Sequence, residues 1–194
     1  TLGDNGWYVT DVTVHAAGAD SISNPVVCTA DQLLTTDSTG HVFSGSCTND
    51  AGLSTNATDL TVKRDATPPT VHITPDRLAD HNGWYNHALG FTNPGTDSTS
   101  GIASCTTPAA YSGPDNMTAS VFATCEDKAG NTGNDTFPFQ FDSTPPTSVS
   151  GAPNRSPDHN TWYNHAVDIV FTGTDAASGI DTCSTISYSG PDGV

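Results

Sequence analysis

The chain has 194 residues and carries 21 acidic against 5 basic side chains, a formal net charge of −16. Nucleic-acid and anionic-membrane binding both need a basic patch, so this balance disfavours them. No stretch is long and apolar enough to span a bilayer, and no window sustains a helical period. Twenty of the acids are Asp and one is Glu126. Asp favours turns and caps whereas Glu favours helix interiors, so the composition describes short strands joined by many turns.

The sequence repeats itself. Asn5-Gly6-Trp7-Tyr8 returns at Asn82 to Tyr85 and again as Asn160-Thr161-Trp162-Tyr163, at steps of 77 and 78 residues. Cys28, Cys105 and Cys183 keep the same steps, and Cys47 recurs as Cys125. Asp65-Ala66-Thr67-Pro68-Pro69 returns as Asp142-Ser143-Thr144-Pro145-Pro146. A period this long marks one small domain used repeatedly. The expected domains are 1–66, lacking an opening strand, 67–143, which is complete, and 144–194, which stops near its middle. No secretory leader is visible and the first residue is Thr1, so the chain reads as a mature segment of something longer.

In the complete repeat, Thr70 to Thr74 is β-branched and forms an expected first strand. Trp84 to Thr92 is the second. The turn Asp97 to Gly101 leads to a third strand at Ile102 to Thr106, which carries Cys105. The turn Tyr111 to Asp115 leads to a fourth at Thr118 to Cys125, with Val121, Ala123 and Cys125 on one face. Asp127 to Asn131 is a tight turn. Thr136 to Phe141 is the last strand, with Phe137, Phe139 and Phe141 on one face and Pro138 marking an edge or a bulge. Short antiparallel strands at this spacing predict a two-sheet sandwich, and paired prolines predict short stiff linkers that would string the repeats into a rod.

Cysteine arithmetic gives two pairs and one remainder. The repeated spacing pairs Cys28 with Cys47 and Cys105 with Cys125. Cys183 occupies a first-cysteine position, so its partner is expected about twenty residues further on, beyond Val194, or in another chain. Small repeats have marginal cores, and a cross-link in each compensates. Disulfides imply an oxidising compartment outside the cytoplasm. Two cysteines per repeat are too few for a zinc site.

Gly95-Thr96-Asp97 to Ser100-Gly101-Ile102 (with Gly173 to Ile180), Asp127 to Asn131, and the Asp-Xaa-Thr-Pro-Pro linkers resemble the immunoglobulin-like repeats of large bacterial and archaeal surface and secreted proteins. The resemblance covers the whole chain. It implies an all-β fold of tandem immunoglobulin-like sandwiches on an extracellular or cell-surface protein. The first repeat departs from the pattern: Asp20 to Pro25 lacks Ser-Gly-Ile, and Asn49-Asp50-Ala51-Gly52-Leu53 shifts the acid by one.

In such a sandwich the turn after the second strand, the turn before the last strand and the incoming linker share one pole. Asp65 would then approach Asp97 and Asp127, and Asp142 would approach Asp175. Clustered carboxylates are hard oxygen ligands suited to Ca²⁺. Capping of their own turns explains the same residues and is the favoured reading. His81 and His87, with His159 and His165, flank the Trp-Tyr pairs and could bind a transition metal, but the first repeat has no histidine at either place, Asp4 standing in for His81. Trp84-Tyr85 and its repeats could stack on sugars, although Trp at a strand start more often covers a core. Asn56, Asn116, Asn134 and Asn154 begin glycosylation sequons. No nucleophile motif or phosphate loop occurs. The expectation is a non-enzymatic stalk, adhesin or filament segment that requires no cofactor and self-associates or continues a longer chain. An accessory module binding cell-surface polysaccharide, attached to a secreted enzyme, is the alternative.

Overall fold

The computed structural model describes residues 1–191. In the first repeat the strands are Trp7–Tyr8 (β1), Val12–Val14 (β2), Val27–Cys28 (β3), Gln32–Leu34 (β4), Ser38–Phe43 (β5), Ser46–Thr48 (β6), Ser54–Asn56 (β7) and Leu60–Arg64 (β8). Next come Thr74–Pro75 (β9), Trp84–Tyr85 (β10), Phe91–Thr92 (β11), Ile102–Cys105 (β12), Asn116–Asp127 (β13) and Thr132–Phe141 (β14). Thr147–Pro153 (β15), Val167–Thr174 (β16) and Thr185–Tyr188 (β17) complete the series. The fold is all-β: the helical element among the described residues is the 3-10 turn Asp4–Gly6.

The chain forms two compact units. One takes Thr1–Thr74, Phe91–Ala109 and Val121–Phe137; the other takes Pro75–Gly90, Ala110–Ser120 and the described chain from Pro138 onward. All the boundaries between the units fall in the middle repeat, so each Asp-Xaa-Thr-Pro-Pro linker lies inside one unit.

In the first unit β5 pairs antiparallel with β8, and β1 pairs parallel with β8, Trp7 opposite Lys63 and Tyr8 opposite Arg64. The pairs β2·β4 and β3·β6·β7 are antiparallel. Val12, Leu34, Phe43 and Val62 form a buried cluster, with Tyr8 and Val14 packed against it. In the second unit β10 runs parallel to the end of β14, and β15·β16·β17 is an antiparallel sheet. Tyr111 stacks edge-on against Phe139 and Phe141, with ring centroids 5.0 and 5.1 Å apart.

Three expectations are corrected. The predicted Thr70–Thr74 strand is broken into an isolated bridge from Thr70 to Thr96 and Thr74 at the start of β9, because between them the Ile73 N–H bonds the Asp135 carboxylate at 2.8 Å. The predicted Trp84–Thr92 strand is split into β10 and β11. There the Asn86 N–H is taken by Asp80, and the Arg77 guanidinium binds the carbonyls of His87 and Ala88. The Trp-Tyr strands pair parallel, not antiparallel, because each lies beside the strand that leads out to its linker. Pro138 falls inside β14, just before the two residues paired with β10.

Both disulfides form within their repeats, Cys28–Cys47 across β3·β6 and Cys105–Cys125 across β12·β13, each joining residues directly opposite in register. A glycine sits against each one. A Cβ on Gly18 would lie 2.9 Å from Cys47 Sγ, and one on Gly95 would lie 2.8 Å from Cys105 Sγ and collide with Cys125 Sγ. The Gly of Gly18-Ala19-Asp20 and that of Gly95-Thr96-Asp97 are therefore packing requirements of the cross-links. Gly95→Ala should destabilise the fold by about 1–3 kcal/mol, the usual cost of overpacking a core. Urea denaturation of variant and parent checks this; equal midpoints would show that the turn can move aside.

Candidate functional site at the repeat junctions

Each linker is fixed by one hydrogen-bond pattern that occurs twice. The Asp65 N–H donates to Tyr8 O at 2.9 Å, and the Asp142 N–H donates to Tyr85 O at 2.9 Å. The linker carboxylate turns back onto its own chain, Asp65 Oδ1 accepting the Thr67 N–H at 3.1 Å and Asp142 Oδ1 the Thr144 N–H at 3.0 Å. Its other oxygen reaches the following repeat. Asp65 Oδ2 accepts the Ser100 N–H at 2.9 Å, and Asp142 Oδ2 accepts the Ser178 N–H at 3.0 Å. One short side chain thus ties the linker to the next repeat, while its backbone N–H ties it to the preceding one.

A second acid completes the clamp from the preceding repeat. Asp37 accepts the Ala66 N–H at 2.9 Å, the Thr67 hydroxyl at 2.5 Å and the Arg64 guanidinium at 2.6 Å. Asp115 accepts the Ser143 N–H at 2.8 Å and the Thr144 hydroxyl. Sequence reasoning missed Asp37 and Asp115, because their neighbours, Thr36-Asp37-Ser38 and Pro114-Asp115-Asn116, share no motif. Their 78-residue separation was the available signal.

The turn acids lie where the linkers arrive. Asp97 Oδ1 accepts the N–H groups of Thr99, Ser100 and Gly101. Asp175 Oδ1 does the same for Ala177, Ser178 and Gly179. Asp127 accepts the Ala129 and Asn131 N–H groups and the Asn131 amide. These acids cap their turns, and Asp97 and Asp127 also converge with Asp65. The three each offer a ligand atom within 4.8 Å of the others, and among the described residues theirs is the one group of three or more ligating side chains so arranged. Asp65 and Asp127 are 0% and 1% exposed, so their charges are little screened. Asp142 and Asp175 meet at the Ser178 N–H of the second junction.

In the first repeat one acid of this pole is replaced by a neutral amide. Asn49 stands in register with Asp127 and donates its amide to Asp20 Oδ2 at 3.0 Å. Its Oδ1 accepts the Leu53 N–H at 2.9 Å, as Asp127 accepts that of Asn131. The shifted Asp50 takes no part in this cap.

The Asn-Gly-Trp-Tyr loop of the first repeat docks onto the turn of the next. Asp4 N–H donates to Ala129 O and the Asn5 amide to Lys128 O, both at 2.9 Å, and the Asn131 amide reaches Asp65 O at 3.0 Å. Trp7 is buried beside this contact with Lys63 over its ring. Tyr85 and Tyr163 each lie under an arginine, Arg77 and Arg155. Trp84 is half-buried and Trp162 exposed. The histidines do not gather. His81 pairs with Asp181 at 3.0 Å, while His87 and His165 face Asp80 and Asp158. The four sequon asparagines, Asn56, Asn116, Asn134 and Asn154, are exposed, and Cys183 is an exposed free thiol.

No family model matches the chain, and no curated protein matches its sequence. The junctions therefore rest on their own chemistry.

Hydrogen bonding holds several of these carboxyls below the ordinary range. The N–H groups of Ser23 and Ile22 and the Asn49 amide bring Asp20 to about 2. Arg77 and the Asn86 N–H bring Asp80 to about 2. The Ser143 N–H and Thr144 hydroxyl lower Asp115. Burial pushes Asp142 up, but the bonds from Ser178 and Thr144 outweigh it and leave it low. A depressed folded pKa contributes stability above the unfolded value, about 3.9 for Asp, and that stability is lost as pH falls through the folded value. Thermal melts should thus hold steady down to about pH 4 and fall towards pH 2. Carboxyl-carbon NMR should place the Asp80 midpoint near 2, and a midpoint near 4 would remove this account of the Arg77–Asp80 pair.

Proposed function

We propose that the chain is a non-enzymatic structural segment of an extracellular stalk, adhesin or filament, built of tandem immunoglobulin-like β-sandwich repeats. The observation that carries this reading is the duplicated linker clamp. Both linkers are tied through backbone and side chain to the repeats on either side, in the same way, by Asp65 with Asp37 and by Asp142 with Asp115. An array whose task is to hold distance or bear load needs its joints fixed, whereas a string of independent binding modules does not. Disulfides within repeats support an oxidising, extracellular setting. Burial of Trp7 at a junction weighs against the alternative polysaccharide platform. The partners proposed are further repeats, in a longer chain or in neighbouring subunits. Immunogold labelling of the native material with antibody to the repeats tests this. Label along a fibre or over the cell surface is expected, and label confined to the cytoplasm would overturn the reading.

We further propose that Ca²⁺ occupies the Asp65–Asp97–Asp127 pole. Three carboxylates this close repel one another strongly in a buried setting, and oxygen ligands of this kind suit Ca²⁺. In the first repeat the residue in register with Asp127 is Asn49, whose neutral amide donates to the Asp20 carboxylate and so replaces a repulsion with a hydrogen bond. Ca²⁺ at about 100 times its Kd should add about 2.7 kcal/mol of stability. Asp127→Asn, which copies Asn49, should lose that response. Calorimetry with Ca²⁺ and with chelator checks it: identical melts for the parent would leave the acids as turn caps alone.

A further inference from the structure

We propose that Asn5-Gly6 is a site of spontaneous deamidation that the joint between the first two repeats protects only while it is closed. Deamidation during an opening then keeps the joint from closing again. Water is the co-reactant, and no enzyme is needed. The inference depends neither on the extracellular role nor on the cation proposed above.

The dipeptide is a reactive one. The Gly6 backbone nitrogen can attack the Asn5 side-chain carbon Cγ because glycine carries no side chain to shield it. Of the three loops in register, Asn5-Gly6 and Asn82-Gly83 have this glycine, whereas Asn160-Thr161 places a β-branched residue there. The turn itself requires the glycine. Asn5 and Gly6 have φ of 50° and 75°, and the Trp7 N–H donates to Asp4 O across them. This is the two-residue turn that Asn-Gly favours.

The closed joint pins Asn5. Its amide donates to Lys128 O at 2.9 Å, and its backbone carbonyl accepts the Lys63 ammonium at 3.1 Å. Beside it the Asp4 N–H donates to Ala129 O at 2.9 Å. For the Gly6 nitrogen to reach Cγ, the Asn5 side chain must swing back over its own backbone. Its amide must then leave Lys128 O, so the bond that closes the joint also opposes the reaction. Gly3 lets the loop seat at all, because a Cβ there would collide with Ala129 O.

The step balances. A bond forms from the Gly6 nitrogen to Asn5 Cγ, the Cγ–Nδ2 bond breaks, and ammonia leaves carrying the proton of the Gly6 N–H. The cyclic imide takes up a water and opens at either carbonyl, giving aspartate or isoaspartate. Both products lack the donor that Lys128 O accepts. Both also bring a carboxylate to the turn that carries Asp127, which already converges with Asp65 and Asp97, so attraction becomes repulsion. Isoaspartate adds a backbone carbon before Gly6 as well, which disrupts the turn that sets Trp7 in its buried place.

The test incubates the whole chain in mildly alkaline buffer and follows Asn5 and Asn82 by peptide mapping with mass spectrometry. Gly3→Ala should lift the loop off Ala129 O and deamidate Asn5 at least about tenfold faster than in the parent, because a local opening gates the chemistry. Asn82, in the same kind of turn in the other unit, should keep its parental rate. Asn5→Asp, which is one of the two products, should speed amide hydrogen exchange at Asp4 by at least about fivefold, since that N–H is bonded to Ala129 O in the closed joint. An unchanged Asn5 rate in Gly3→Ala, an equal rise at Asn82, or unchanged Asp4 exchange in Asn5→Asp would overturn the proposal.

Discussion

Everything at the junctions depends on a carboxylate buried against backbone N–H groups. Asp65 is fully buried, and a buried charge is tolerated only where hydrogen bonds replace its water. One oxygen is satisfied by the N–H of Thr67 in its own linker, the other by that of Ser100, 35 residues along the chain. Moving the linker away from the Ser100 turn would strand that charge. The cost of leaving such a group unsatisfied, about 1–3 kcal/mol or more when charged, is what stiffens the joint. The linker prolines restrict the chain, but they have no N–H to donate to the next repeat; the link is made instead by the aspartate carboxylate, which accepts the Ser100 N–H.

The second constraint is the size of the repeats. The buried cluster of the first repeat is four side chains, so the cross-strand disulfide takes over much of what a larger core would do. A loop of about twenty residues closed by a disulfide contributes roughly 3 kcal/mol on the chain-entropy account. The cross-link shapes the sequence around it. Gly18 and Gly95 lie against the sulfurs, and the aspartate two places after each, Asp20 or Asp97, caps the turn that carries the chain onward. Disulfide, glycine and capped turn form one device, and the linker aspartate plugs into it from outside at Ser100.

The repeat was legible because it is written in residues with single physical uses. Paired cysteines at fixed spacing, glycines at tight turns and prolines after the linker acid leave few alternatives, so the all-β class and the convergence of Asp65, Asp97 and Asp127 could be read from the chain alone. Less legible were the places where side chains take over backbone hydrogen bonds. The Trp84–Thr92 segment reads as a strand, yet Asp80 and Arg77 occupy its polar groups and break it. Those two residues lie upstream of the segment they interrupt, outside any local pattern. Asp37 and Asp115 were hidden for the same reason, since their partners lie 27 to 30 residues away.

The preference for Asp over Glu has the same origin. Eleven of the twenty aspartates accept at least one backbone N–H in the described structure. Many of these bonds close within two to four residues, where the short Asp side chain reaches and the longer Glu side chain overshoots. The charge of −16 is therefore not simply a solvated acidic coat. A large part of it consists of turn caps and linker clamps. That distinction bears on how the protein meets acid and salt. A solvated coat would be screened by salt with little consequence for folding. Carboxylates bonded to N–H groups are insensitive to moderate salt but fail on protonation, because a neutral carboxyl is a weaker acceptor. The junctions are thus joints that salt leaves intact and acid opens.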